Sequence, residues 1–222
     1  MKTALPPPFE SLFCKKAQRS VTAVCAAVAV LVFSGCVIVR EQTCPSEFAG
    51  GIIMRRKDRE ITDMDTIFDI LLRCSTIRVA MQGGQYPYVV PVSFGAELVD
   101  GKPVIFFHCA RQGLKLDLLK ANPCVCVEGD IFLKTETTDH GITTRYESVI
   151  GFGKCRLAED ESEKIHGLRL LTEHYGYHHY PLEKCRGLQY LEVAVIEMES
   201  MTGKRNLPGE PTAADAKAQL HH

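Results

Sequence analysis

The 222-residue sequence contains no Trp, only 8% aromatic residues, and a formal net charge of −1. So balanced a charge gives no electrostatic footprint for nucleic acid or another polyanion. Ten cysteines are present, yet only Cys124 and Cys126 lie close together in the chain. A Cys-x-Cys pair on a strand puts both thiols on one face, and no second pair follows to complete a metal site. Buried or half-buried thiols in a reducing cytosol are the expectation, with no metal ligand. Long apolar runs are also scarce, since a single one, Val21 to Val39, stands behind Lys15, Lys16 and Arg19.

That run separates the first 53 residues from the rest. About 20 apolar residues can span a bilayer, so residues 21–39 could anchor the chain with the basic flank cytoplasmic. Phe33-Ser34-Gly35-Cys36 loosely resembles an export cleavage box, which would make the segment a signal. The reading preferred here is that translation begins at Met54, with Gly50-Gly51 the in-frame image of a ribosome-binding site. The expected organisation is an N-terminal extension over 1–53, one globular domain over 54–204 and a disordered tail over 205–222. A cytoplasmic location follows if the extension is absent, and membrane contact only if residues 21–39 are retained.

What is present from Thr62 onward is a regular alternation of elements. Thr62 and Asp65 suggest a capping box for a helix carrying Ile67, Ile70, Leu71 and Cys74. Strands are expected over 76–81 and 86–94, separated by Gly83-Gly84, with Pro87 and Pro91 marking the second as irregular or free along one edge. Asp100-Gly101 is a hairpin signal before a strand over 103–108. A helix over 111–120 should bury Leu114, Leu118 and Leu119. Further strands are expected over 124–128, 131–135, 145–157 and 188–198, with Asp160 and Glu163 capping a helix between the last two. Six or more antiparallel strands with inserted helices indicate an α+β barrel.

The chemistry concentrates in Phe107-His108-Cys109-Ala110-Arg111-Gln112-Gly113-Leu114-Lys115. A strand ends at His108, turns through small residues and starts a helix. Free N–H groups and the positive end of the helix dipole suit a phosphate. Gly113 lets the backbone come close, and Lys115 adds a point charge. Tyr88 to Val92 could present main-chain groups to a heterocycle. Taken alone the pattern is a phosphate site or an ordinary surface helix with a solvated lysine. His174-Tyr175-Gly176-Tyr177-His178-His179-Tyr180-Pro181 is rich in imidazole and phenol, but is expected to border a pocket or cap a helix rather than hold a metal.

Five short segments in order resemble the pyridoxamine-phosphate-oxidase-like FMN-binding split barrels, and most closely their 5-nitroimidazole-resistance branch. They are Met54 to Glu60, Tyr86 to Pro91, Phe107 to Ala110 with Gly113 and Lys115, Tyr146 to Ile150, and Thr202-Gly203-Lys204. The resemblance implies an antiparallel Greek-key split β-barrel with peripheral helices, and FMN at the interface of a homodimer. It implies that Tyr88, Val89, Val90 and Pro91 line the flavin ring, and that His108, Ala110, Gly113 and Lys115 surround the phosphate. Ser148 would contact the cofactor from a neighbouring strand, and Arg56 and Lys204 are further cofactor-binding candidates. His108 is the implied catalytic residue, since imidazole passes protons near neutral pH. The implied activity is that of a flavoprotein oxidoreductase passing electrons from a nicotinamide or other donor to a small acceptor such as a nitroimidazole. A non-catalytic flavin, haem or small-molecule binder of the same fold is the alternative. The phosphate lysine follows Leu114 where the vitamin-making oxidases often carry Arg, and their terminal Trp motif is missing, so pyridoxamine phosphate oxidation is not expected.

Overall fold

The computed structural model describes residues 54–209 apart from His140, and of Glu183 the backbone only. Eight strands and three helices follow one another as β1 (Glu60–Ile61), α1 (Met64–Arg73), β2 (Ile77–Gly83), β3 (Tyr86–Val92), β4 (Gly95–Val99), β5 (Lys102–Ala110), α2 (Leu114–Ala121), β6 (Cys124–Thr138), β7 (Gly141–Leu157), α3 (Glu161–His174) and β8 (Leu191–Asn206). Every pairing is antiparallel. The sheet runs β3-β2-β6-β7-β8-β5-β4 without closing, and β1 pairs with the far end of β8. Strands β6, β7 and β8 lie side by side with β5 returned next to β8, which is the Greek-key arrangement of an α+β split barrel. Residues 1–53 and the tail from 210 lie outside the described residues, so the expectations placed there are not addressed. Among the described residues no helix is long and apolar enough to cross a membrane.

Local chemistry accounts for the boundaries. Asp63, rather than Thr62, caps α1, its carboxylate accepting from the Thr66 N–H at 2.9 Å. Ile67, Ile70 and Leu71 then fall on one face and are fully buried. Asp100 (φ 51°) and Gly101 (φ 75°) form the left-handed pair that a tight β4–β5 hairpin requires. The expected cap of α3 is present, with Asp160 accepting from Glu163 N–H at 2.8 Å. Where two strands were expected across Gly129-Asp130, a single 15-residue β6 runs through. Gly129 is there for packing, because a Cβ would stand 3.0 Å from Cys74 Sγ. The long β6 and β7 are irregular at two points, Phe132/Lys134 and Phe152/Gly153, the second beside the glycines that allow the strand to coil.

Two apolar clusters hold the layers together. The larger fills the barrel around Ile77, Val79, Phe94, Ile105, Phe107, Val127 and Val149, and α1 closes it. Each such side chain contributes about 1.5–3 kcal/mol over the exposed state. The smaller lies between β5, β8 and α3, around Phe106, Leu168, Val193 and Val195. Helix α3 can sit this close only because glycine faces it. A Cβ on Gly95 would fall 2.3 Å from Leu171 N, and one on Gly167 would fall 2.5 Å from the Phe106 ring. Gly95→Ala is therefore expected to cost about 1–3 kcal/mol, whereas Gly187→Ala, whose Cβ meets only Cys185 Sγ at 3.7 Å, should be close to neutral. Urea unfolding of the two variants checks this, and equal midpoints would contradict it.

Candidate functional site

Strand β3 occupies one end of the sheet path, so one of its edges is unpaired, as Pro87 and Pro91 require. Its side chains alternate. Tyr88 and Val90 pack against the barrel core, whereas Pro91 and the half-exposed Val89 face outward. The four residues expected to line one ring therefore divide between two faces. Only Val89 and Pro91 offer side chains to a ligand outside the barrel, and Tyr88 and Val90 offer main chain.

The strand–turn–helix stands where the sequence puts it, with a shorter helix. Phe107 is fully buried, while His108 and Ala110 are exposed at the end of β5. Gly113 is the N-cap of α2 with φ 134°, a backbone geometry that disfavours any side chain, and a Cβ there would meet nothing within 4 Å. The first backbone N–H groups of α2 have no helical acceptor, since the ladder begins with Asp117 N–H donating to Gly113 O at 3.2 Å. Lys115 Nζ lies 5.1 Å from the centroid of the Phe107 ring. The buried side of α2 differs from expectation. Leu116 and Leu119 are buried, Leu118 is half-buried and Leu114 is 56% exposed, because the helix starts at Leu114 and not at Arg111. Asn122, the residue after α2, donates from Nδ2 to Gln82 Oε1 at 2.7 Å, tying the helix to the β2–β3 hairpin. The edge strand and the β5–α2 turn thus belong to one part of the molecule.

Arg56, Ser148 and Lys204 belong to another. Ser148 pairs with Lys204, and Lys204 with Glu60, at the far end of β8. Ser148 Oγ donates to Lys204 O at 3.4 Å, and Lys204 Nζ stands 5.8 Å from the Tyr146 ring centroid. Arg56 Nε donates to Asp58 Oδ1 at 2.7 Å, and this bond, assisted by the Tyr146 phenol, raises the guanidinium pKa while holding Asp58 at about 2. On β8 the partner of His108 is Val193 and that of Ser148 is Lys204. Eleven residues of strand separate them, roughly 36 Å if straight, less the bend at the irregularity near Glu199. One chain therefore presents two separate groups, with His108, Ala110, Gly113 and Lys115 in the first and Arg56, Ser148 and Lys204 in the second.

Sequence reasoning missed Asn122 as the link between α2 and the edge hairpin, and Tyr146 as the ring beneath Lys204. An Asn just past a helix was a usable signal for the first; only register reveals the second. His108 makes no side-chain hydrogen bond to a described residue, so its ring is free to meet a ligand. The His/Tyr segment begins at the C-terminal end of α3 and fastens it to the end of α1: His174 Nε2 is 3.0 Å from Cys74 O, and the Tyr175 hydroxyl donates to Ser75 O at 2.8 Å. Among the described residues no three His, Cys, Asp or Glu side chains gather as a metal site. A cleft of about 400 Å³ between the β4–β5 hairpin and α3 is lined in part by charges engaged with one another. Arg156 spans Glu163 and Glu197, and His166 meets Glu97 at 2.8 Å.

Burial separates the thiols near the site. Among the described residues Cys74, Cys109, Cys126, Cys155 and Cys185 are free thiols. Burial pushes Cys155 up to about 12 and Cys74 to about 11, and raises Cys109 despite the nearby Lys115 charge. A folded-state pKa raised above the unfolded one stabilises the fold below about pH 9 and loses that contribution as pH climbs toward 12. Stability should fall across that alkaline window. At neutral pH a thiol reagent should label half-buried Cys126 and Cys185 first, with peptide mapping as the readout. Equal labelling of Cys155 would contradict the burial.

Comparison with known proteins agrees with this fold. Residues 63–205 match the family described as pyridoxamine 5'-phosphate oxidase, a span that includes every expected site residue except Arg56. A crystal structure described as a 5-nitroimidazole antibiotic resistance protein, from Bacteroides thetaiotaomicron, is 27% identical, with a TM-score of 0.59 over 66% of this chain and 86% of that one. The flavocytochrome Anf3 from Azotobacter vinelandii (18% identity, TM-score 0.59, 74% and 78% of the chains) shares the fold. So does an FAD and haem binding protein from Mycobacterium smegmatis (18%, 0.59, 74% and 80%). No curated protein matches the chain. From the long family match and the split-barrel topology together, the chain belongs to the pyridoxamine 5'-phosphate oxidase family.

Proposed function

We propose that this protein is an FMN-dependent oxidoreductase that passes electrons from a nicotinamide or comparable donor to a small acceptor. The observation that carries the reading is the open N-terminus of α2: a glycine at φ 134° with empty space over it, unpaired N–H groups behind it and Lys115 in the first turn. Among the described residues Lys115 has no carboxylate partner, so its charge is available to a phosphate. The residues present fit a flavin mononucleotide. Phosphate would rest on Gly113, Lys115 and the α2 N–H groups, and the outward-facing Val89 and Pro91 on the free edge of β3 would support the ring system. Bound there, the flavin supplies the electron-transfer chemistry. The protein supplies position, exclusion of water by the apolar edge, and a proton carrier in the exposed His108.

The separation of the two groups supports a homodimer. Ser148, Lys204 and Arg56 contact the same cofactor as Lys115 only if they come from a second copy, in an isologous arrangement that makes two equivalent sites. Similarity to the 5-nitroimidazole antibiotic resistance protein favours a nitro-aromatic acceptor.

Purified protein incubated with FMN and desalted should keep the twin flavin absorption bands. Lys115→Ala should weaken FMN binding about tenfold, the worth of one charge-assisted phosphate contact. Retention unchanged by the substitution would place the phosphate elsewhere. Anaerobic turnover of a nitroimidazole with reduced nicotinamide tests the acceptor, and its absence in FMN-loaded protein would remove that assignment.

A further inference from the structure

The cleft of about 400 Å³ between the β4–β5 hairpin and α3 shares no lining residue with either group of the candidate cofactor site. Clefts of this size take small organic molecules. Its floor follows from register. Glu97 pairs with Val104, and Val104 with Glu197, so the three stand in one row across β4, β5 and β8. Cross-strand partners share a face, and Phe106, two residues beyond Val104, lies on that face too. An apolar floor thus separates two carboxylates whose backbones are two strands apart, roughly 10 Å. Glu163 and His166, three residues apart on α3, form the opposite wall.

Hydrogen bonding leaves the carboxylates unequal. Both oxygens of Glu163 are taken by Arg156, each at 2.8 Å. Glu97 uses only Oε1, on His166 Nε2 at 2.8 Å, and Glu197 only Oε1, which accepts from Arg156 Nε at 2.9 Å. The second oxygen of each has no partner among the described residues. With Asp100, the lining sets four carboxylates against the two cations Lys102 and Arg156, so an anion is repelled. A metal ion is unsupported, because among the described residues no three metal-ligating side chains gather. What fits is a ligand positive at both ends and apolar between. Each ammonium takes up about 2.8 Å in its N–H···O contact, which leaves roughly 4–7 Å between the nitrogens, the reach of about three to five methylenes. We infer that this cleft binds an aliphatic diamine, its ammonium ends on Glu97 and Glu197 and its methylenes over Val104. The site stands independently of the flavin reading.

The test is calorimetric titration of the full chain, at one ionic strength, with 1,4-diaminobutane, butylamine and magnesium ion. The diamine should bind at least tenfold more tightly than butylamine, which lacks the second ammonium, and than magnesium, which lacks the span. Glu97→Gln and Glu197→Gln should each weaken the diamine about tenfold, the worth of one charge-assisted contact. Equal affinity for diamine and butylamine overturns the inference, as does magnesium binding as tightly as the diamine. So does a diamine affinity untouched by both substitutions. The ligand comparisons use the unsubstituted chain and stand even where a variant fails to fold. FMN retention on the same samples keeps the readings apart. Flavin retained without diamine binding removes this site alone, and diamine binding without flavin removes the flavin reading alone.

Discussion

Strand β8 hydrogen-bonds to β7, β5 and β1 along its sixteen residues, and that ladder sets where everything else stands. At its start it holds the end of β5, and so the exposed His108 and the turn into α2. At its other end it holds Ser148 and brings Lys204 over Tyr146. Side-chain period is two in every strand, so a slip of one residue would turn each functional group into the barrel. The buried Val193, Ala194, Val195 and Ile196 prevent that slip by filling both clusters at once.

From this ladder follows the division of the site. A phosphate-suited helix terminus and a free strand edge form one group, and an aromatic and cationic face forms the other. Each is incomplete as a cofactor site alone. The first has an open helix N-terminus and a free strand edge but no further polar support; the second has the cations Arg56 and Lys204 beside Tyr146 but no helix terminus. A two-fold arrangement of copies would join them without any change within either chain, which is an economical route from a small open barrel to an enclosed site.

Much of this was legible in the sequence because certain residues permit few alternatives. Pro87 and Pro91 cannot sit in a central strand, and β3 lies at the edge. Asp100-Gly101 makes a tight hairpin, and Asp160 caps α3 as its spacing with Glu163 indicates. Failures came where tertiary contacts outweigh local pattern. Gly129 resembles a turn residue but makes room for Cys74, so β6 runs on. Leu114 looks like core until the helix start is fixed by Gly113, which rotates the buried face to Leu116 and Leu119. The four β3 residues read as a single lining, yet strand alternation sends them to opposite faces. The split between Lys115 and Lys204 could not be read at all, because it depends on register along β8.

The claim on which the rest depends is that the N-terminus of α2 holds a flavin phosphate. Parallel titrations of FMN and riboflavin into the protein and its Lys115→Ala variant test it directly, since the two ligands differ only by that phosphate. The structure predicts that FMN binds the unsubstituted protein at least tenfold more tightly than riboflavin, and that most of this gap closes in the variant. Equal affinity for the two flavins, or a gap that survives the loss of Lys115, would contradict it.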